Sequence, residues 1–156
     1  MKKERKAFLI SIGITLAAGV VSGLLSMVRK ADYPALIKPP LSPPAWLFPL
    51  VWTILYILMG AACALVVLTT APPDEKRSAI ALYAAQLFFN CIWSFLFFTF
   101  RQYLLAFFWL LALWLLIYLT LHHFLKLNKK AGLLILPYLA WVSFAGYLNF
   151  GIFLLN

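Results

Sequence analysis

Long apolar stretches separated by short polar breaks occupy nearly all of this chain. Roughly 20 apolar residues cross the ~30 Å hydrocarbon core of a bilayer, so each stretch is long enough to form a membrane-spanning helix. We predict helices over about 7–28, 46–69, 78–100, 104–125 and 132–155, with boundaries good to a few residues. The expected fold class is therefore an all-α membrane protein, a five-helix bundle that forms a single domain over residues 1–156.

A proline-crowded loop joins the first two predicted helices. We call residues 33–45 the lid; its prolines are Pro34, Pro39, Pro40, Pro43 and Pro44. Proline fixes φ, lacks an N–H donor and biases the preceding residue toward extended conformations. The lid is therefore expected to be stiff without being α-helical, a shape suited to covering a cavity. Just beyond it, Trp52 and Tyr56 lie one helical turn apart and share a face.

The composition agrees with a membrane protein. Hydrophobic residues make up 65% of the chain and charged residues 11%, whereas soluble domains are about half apolar and a quarter charged. The net charge of +9 is spread over the polar breaks, which is typical of topology signals. We therefore expect no nucleic-acid partner.

The Lys and Arg residues favour one side of the predicted bundle. That side carries Lys2, Lys3, Arg5, Lys6, Lys76, Arg77, Lys126, Lys129 and Lys130. The other side carries Arg29, Lys30, Lys38 and Arg101. The positive-inside rule then predicts a cytoplasmic N-terminus and a lid on the outer face. Short loops and this bias favour a bacterial plasma membrane, with a mitochondrial outer membrane as the alternative.

Small and weakly polar residues form a stripe along the first helix: Ser11, Thr15, Gly19, Ser22 and Ser26. Gly19 and Gly23 form a G-x-x-x-G pair, which lets another helix approach closely. The stripe predicts helix packing, either inside the bundle or between two copies, so a homodimer through Gly19 and Gly23 is one expectation.

Two later helices carry aromatic and amide residues on one face. The third helix offers Tyr83, Gln86, Asn90, Trp93 and Phe97, and the fifth offers Tyr138, Trp141, Ala145 and Asn149. Amides in hydrocarbon need partners and point inward. They serve either as hydrogen bonds between helices or as polar contacts in a ligand cavity. Because ligand cavities are mostly apolar with a few placed polar groups, these faces and Trp52 with Tyr56 favour a pocket beneath the lid.

The acidic residues Glu4, Asp32, Asp74 and Glu75 all lie outside the predicted spans. No intramembrane carboxylate is available for the proton relay or cation pairing typical of ion-coupled carriers. No acid–base pair or phosphate-binding loop is present. We predict no metal site, since His122 and His123 do not share a helix face. The chemistry left open is photochemistry through Trp and Tyr beside a bound pigment.

The lid and the helix faces together resemble a known family, that of tryptophan-rich sensory proteins and translocator proteins (TspO/MBR), formerly called peripheral benzodiazepine receptors. The matching lid and second-helix positions are Tyr33, Leu36, Lys38, Pro39, Pro43, Pro44, Phe48, Trp52, Leu55 and Tyr56. The third helix matches through Gln86, Asn90, Trp93 and Ser94. The fifth matches through Pro137, Tyr138, Leu139, Ala140, Trp141, Phe144, Ala145, Leu148 and Asn149.

The resemblance implies a five-helix bundle, often dimeric, that binds porphyrins such as protoporphyrin IX, drug-like ligands and, in some members, cholesterol. It implies no required cofactor. By motif position, Tyr33 and Pro43 belong to the lid. The residues implied to line the cavity are Trp52, Tyr56, Asn90, Trp93, Trp141 and Ala145. Trp52 and Trp141 would be the pair nearest any pigment chemistry.

The chain departs from the family pattern in two segments. Asp32 stands where a tryptophan often precedes the lid tyrosine. Phe150 and Leu154 replace the tyrosine and basic residue of the sterol-recognition segment, and no Lys or Arg follows Tyr147. This argues against cholesterol as the natural ligand.

The favoured hypothesis is a membrane receptor or binding protein for porphyrin-like ligands, linked to tetrapyrrole regulation or transport, rather than an enzyme. The alternatives are a light-dependent enzyme that degrades protoporphyrin, and a small transporter of tetrapyrroles or sterols.

Overall fold

The computed structural model describes residues 2–27 and 30–156 and contains five long helices. They are α1 (Lys2–Met27), α2 (Leu47–Leu68), α3 (Pro73–Ser94), α4 (Tyr103–Leu127) and α5 (Lys129–Leu155). A 3₁₀ helix, Lys30–Ala35, leads into the lid, and a π-helical turn, Phe95–Thr99, continues α3. All five helices are long and apolar enough to cross a membrane. The predicted fold class is confirmed.

The helices α3 and α5 begin several residues earlier than the hydrophobic pattern predicted. α3 starts at Pro73 instead of about residue 78, because proline suits the first helical position and Asp74 and Glu75 complement the dipole of the first turn. α5 starts at Lys129 instead of about 132, since the Asn128 side chain accepts the N–H groups of Lys130 and Ala131 at 3.0 and 3.2 Å. The end predicted for the first helix at about residue 28 lies outside the described residues, as does Arg29 of the charge count.

The helices form a closed ring in the order α1–α2–α5–α4–α3, with α3 packing back on α1. Small residues allow the close crossings within it. A Cβ atom added at Gly60 of α2 would lie 2.5 Å from the Cα atom of Ile12 on α1. The two backbones therefore meet where only glycine fits.

Hydrogen bonds between buried side chains join the helices inside the ring. The Tyr56 hydroxyl donates to Asn90 Oδ1 at 2.7 Å, and Asn90 Nδ2 donates to the Tyr138 hydroxyl at 3.0 Å. Trp93 Nε1 donates to Asn149 Oδ1 at 3.1 Å. These bonds link α2, α3 and α5, and they satisfy polar groups that have no water to bind in a bilayer.

The lid lies at the end of the ring where α5 finishes, and it is attached to α5. The Tyr147 hydroxyl donates to the carbonyl of Pro40 at 2.8 Å. Pro39 is buried against Gly151, where an added Cβ would lie 2.6 Å from the proline ring. Asn156, just beyond α5, also bonds to the lid backbone. The lid is thus held on one side of the bundle.

Candidate ligand-binding site

A cavity of about 320 Å³ lies beneath the lid, between α1, α2 and the end of α3. We call it the lid cavity. Its lining comprises Leu16, Gly19, Val20, Ser22, Gly23 and Ser26 from α1; Tyr33, Pro34 and Ala45 from the lid; Phe48, Pro49, Trp52, Thr53 and Tyr56 from α2; and Trp93, Ser94 and Phe98 from α3 and its extension. Its volume lies at the lower end of the range for small-molecule sites.

Aromatic rings build one wall of the lid cavity. The Trp52 ring lies 5.6 Å from Tyr56 and 6.3 Å from Trp93, measured between centroids. Behind this wall, Tyr138 meets Trp52 edge to face at 6.1 Å. Such ring contacts stabilise one another beyond simple burial. The wall therefore offers flat aromatic surface held in place from behind.

The opposite wall, on α1, includes two glycines and two serines among its six lining residues. A Cβ atom at Gly19 would lie 2.5 Å from the Tyr56 ring, so glycine allows α1 to pass over that ring. At Gly23 an added Cβ would meet no atom of the described residues within 4 Å, so this glycine faces open space among them. The Ser26 hydroxyl donates to the Ser22 carbonyl at 2.6 Å, which leaves a smooth surface. Gly19 thus packs against Tyr56 in the aromatic wall, and the open space of the cavity lies beside Gly23.

Tyr33 forms the roof. Its ring meets Phe48 edge to face at 5.8 Å and lies 5.9 Å from Phe98. Lys38 Nζ lies 5.2 Å from the centroid of the Tyr33 ring. Burial raises the pKa of the Tyr33 phenol above its usual 10.0, because the anion would be poorly solvated there. Tyr33 is therefore a neutral roof at physiological pH.

The structure brings four of the eight predicted site residues together in the lid cavity: Tyr33, Trp52, Tyr56 and Trp93. Pro43 belongs to the lid but is not part of the lining. Asn90 lies behind Tyr56, 1% exposed and bonded to two tyrosines. Ala145 is buried on α5. Of the two uses weighed for the amide of Asn90, the observed bonds are those of a link between helices.

Trp141 lies on another surface. It lines a groove of about 470 Å³ on the outer side of the ring between α2 and α5, which we call the α2–α5 groove; the other lining residues are Val51, Ile54, Leu55, Leu58, Pro137, Ala140 and Phe144. Phe48 meets Trp141 edge to face at 5.9 Å and also lines the lid cavity. Trp52 and Trp141 therefore do not face one space, because Phe48 stands between them. Trp141 Nε1 is buried without a hydrogen-bond partner among the described residues.

The prediction from aromatic and amide faces did not include the α1 residues that line the lid cavity. Their signal was present as the stripe of small residues through Gly19, Ser22 and Ser26. That stripe predicted packing, and Gly19 does pack against Tyr56. The same spacing also leaves space, since Gly23 has no neighbour to fill it. A stripe of small residues is therefore compatible both with close helix packing and with a cavity.

The described lining of the lid cavity is mostly apolar and aromatic. Among the described residues, the lining contains aromatic rings, aliphatic side chains and hydroxyls, with no Asp, Glu, His, Lys or Arg. No group of three or more His, Cys, Asp or Glu that could hold a metal occurs within the described part of the chain.

Comparison with known proteins agrees with this architecture. The family model described as TspO/MBR matches residues 11–155. The chain is 42% identical to the tryptophan-rich protein TspO of Chlorobaculum tepidum, over 100% of this chain and 99% of the relative. It is 40% identical to the tryptophan-rich sensory protein of Cereibacter sphaeroides, over 90% and 88% of the two chains.

A mammalian protein shows the same similarity over nearly the same span. The translocator protein of Bos taurus is 35% identical, over 90% of this chain and 86% of the relative. The expected resemblance is thus confirmed across bacterial and animal proteins. Five apolar helices and these matches together show that this multi-pass membrane protein belongs to the TspO/MBR family.

Proposed function

We propose that this protein is an integral membrane receptor or binding protein for porphyrins such as protoporphyrin IX and for other flat hydrophobic molecules, linked to tetrapyrrole regulation or transport. The observation that carries the proposal is the lid cavity itself. It brings the aromatic surface of Trp52 and Trp93 together with the open space beside Gly23 of α1. Such a cavity favours flat molecules.

A macrocycle needs more room than the cavity alone supplies. Val20 lines the cavity and is 60% exposed, so the space reaches the outside through the seam between α1 and α2. The bound ring would extend into this seam, with its apolar edge toward the bilayer. The names of the relatives, which include sensory and translocator proteins, are consistent with either signalling or movement of a ligand.

The test is titration of the purified protein with protoporphyrin IX, followed through quenching of tryptophan fluorescence. Saturable quenching is expected. Gly23→Leu should weaken binding of protoporphyrin IX at least roughly tenfold, because the leucine side chain fills space that the ligand needs. A tenfold loss of affinity corresponds to about 1.4 kcal/mol of binding free energy. Gly13→Leu is the matched control, since Gly13 is also on α1 with no atom within 4 Å of an added Cβ and lies outside the lining. Equal affinities of the two variants would refute the site.

A second candidate is light-dependent breakdown of protoporphyrin, the alternative of the sequence analysis. Trp52 is within 6.3 Å of Tyr56, Trp93 and Tyr138, measured between centroids, which provides neighbouring aromatic rings for electron transfer. An excited pigment would take an electron from Trp52 and pass it to dissolved dioxygen, which becomes superoxide. The Trp52 radical cation would then recover an electron from the pigment, and the pigment radical cation would combine with superoxide, so that the net change is addition of dioxygen to the macrocycle. The neighbour of Trp52 in this scheme is Trp93 instead of Trp141. Pigment absorbance under illumination decides: protein-dependent loss that falls in Trp52→Phe supports the enzyme, and unchanged pigment supports binding alone.

We further propose that the protein resides in a bacterial plasma membrane with its lid on the outer face, as the distribution of Lys and Arg indicates. Trp46 of the lid end is 67% exposed, so a cysteine placed there is accessible. In a background without Cys63 and Cys91, Trp46→Cys in intact cells should react with an impermeant maleimide. If Trp46→Cys reacts with the maleimide only after the cells are lysed, the lid lies on the cytoplasmic side and the proposed orientation is wrong.

We also propose a homodimer, with an interface that excludes Gly19. Tyr56 of the same chain already occupies the surface of Gly19, and Gly23 faces the lid cavity. The outward side of α1 remains exposed through Leu9, Ile14 and Val21. Cysteine crosslinking at Ile14 in membranes tests this: a crosslinked pair supports the interface, and monomer at all concentrations contradicts it.

A further inference from the structure

We propose that Lys38 binds a carboxylate of the ligand at the mouth of the lid cavity, so that the preferred ligands are flat apolar acids. This inference rests on the proposed function and deepens it by assigning a charge to the ligand and a partner to that charge. It goes beyond the lining, in which the described residues include no charged side chain.

The position of Lys38 is set by two residues of the cavity wall. Its Nζ atom lies 5.2 Å from the centroid of the Tyr33 ring, a cation–π geometry. The same atom donates a hydrogen bond to the carbonyl of Pro34 at 3.2 Å. Tyr33 and Pro34 both line the lid cavity. The ammonium group is therefore held against two residues of the lining without itself lining the cavity, and we place it at the cavity mouth on that ground.

The ammonium retains capacity for a ligand. A lysine ammonium has three N–H donors, and the bond to Pro34 uses one. Hydroxyl groups of the lining are weaker competitors, because Ser26 and Thr53 donate to carbonyls of their own helices at 2.6 and 2.8 Å. Charge-assisted bonds to a carboxylate are about twice as strong as neutral ones. Lys38 is thus the strongest donor that the described residues place at this rim.

The position also explains how an amphipathic ring would be oriented. The apolar part stacks against the aromatic wall in the space beside Gly23, while an acidic edge points to the lid and to water. Protoporphyrin IX has this form, because its two propionates lie on one edge of the macrocycle. A neutral analogue of the same shape should enter the same cavity without the anchor.

The experiment compares protoporphyrin IX with its dimethyl ester in wild type and Lys38→Met, which keeps the length and apolar stem of the side chain. Lys38→Met should weaken binding of the diacid roughly tenfold, the effect of losing one charge-assisted bond at a partly exposed site. Binding of the ester should not change. Lys38→Arg, which keeps the cation, should restore most of the affinity for the diacid. Lys126→Met is the matched control, because Lys126 lies in the last turn of α4, at the opposite end of the bundle.

The outcomes are distinguishable. If Lys38→Met weakens binding of the diacid but not of the ester, the result supports Lys38 as the residue that binds the carboxylate. Equal loss of both ligands would show that Lys38 only supports the lid, and no loss would show that it contacts neither ligand; each overturns the inference while the binding function stands. If wild type binds neither ligand, the proposed porphyrin function fails and the anchor fails with it.

Discussion

The side-chain amide of Asn156 pairs with both backbone polar groups of Ile37. Asn156 Oδ1 accepts the Ile37 N–H at 3.1 Å, and Nδ2 donates to the Ile37 carbonyl at 2.9 Å. The Asn156 side chain thus makes the pair of hydrogen bonds with Ile37 that the backbone of a neighbouring β-strand would make. Together with the hydrogen bond from Tyr147 to Pro40, this pair attaches the lid to α5. These bonds lie on the α5 side of the lid, away from the seam between α1 and α2.

Asn156→Ala should loosen the lid. Loss of two exposed hydrogen bonds costs about 1 kcal/mol, so amide hydrogens of residues 36–42 should exchange roughly fivefold faster. Hydrogen–deuterium exchange with mass spectrometry on a peptide covering the lid measures this. The control is Asn128→Ala, which removes the cap of α5 at the far end. Unchanged exchange in Asn156→Ala would show that proline stiffness alone holds the lid.

Gly19→Ala should destabilise the protein, whereas Gly23→Ala should not. The new Cβ at position 19 would lie 2.5 Å from the Tyr56 ring, which itself is fixed by its bond to Asn90. Overpacking of this kind costs about 1–3 kcal/mol. The same change at Gly23 meets no atom and gains up to about 1 kcal/mol of helix propensity. Thermal unfolding in detergent should show a lower midpoint for Gly19→Ala only; equal midpoints would contradict the close crossing of α1 and α2.

The buried phenol of Tyr33 predicts that lid docking weakens at alkaline pH. Its pKa is raised in the folded protein by desolvation. Below the ordinary pKa of 10.0 the phenol is neutral whether the lid is docked or open. Above that value the open state ionises first, so stability falls as pH rises toward the raised pKa. The ultraviolet difference absorbance of tyrosine ionisation above pH 10 should be smaller in Tyr33→Phe by the contribution of one tyrosine. Amide hydrogens of the lid should also lose less protection from exchange above pH 10 in this variant than in wild type.

The sequence allowed prediction of the helices and of one wall of the cavity. Long apolar stretches specify spanning helices, and the spacing of Trp52 and Tyr56 places them on one face whatever the fold. The spacing does not say which helix that face meets. The ring order α1–α2–α5–α4–α3 sets α1 opposite Trp52 and moves Trp141 to the α2–α5 groove. That order depends on contacts between distant residues, such as Gly19 with Tyr56, which no local pattern contains.

Asn90→Ala separates the two uses that were open for this amide. Its side chain accepts from Tyr56 at 2.7 Å, donates to Tyr138 at 3.0 Å and is not part of the cavity lining. The substitution should therefore lower stability, by about 1–2 kcal/mol for two bonds inside a membrane bundle.

Affinity for protoporphyrin IX should change less than about threefold in Asn90→Ala, since the Tyr56 ring keeps its packing against Trp52 even without the hydroxyl bond. Unfolding in detergent and fluorescence titration on the same preparation give both quantities. Ser143→Ala is the control, because Ser143 accepts a bond from Trp114 on the exposed side of the ring. A large loss of affinity at unchanged stability would instead make Asn90 a ligand contact, and Tyr56 would then have to move when the ligand binds.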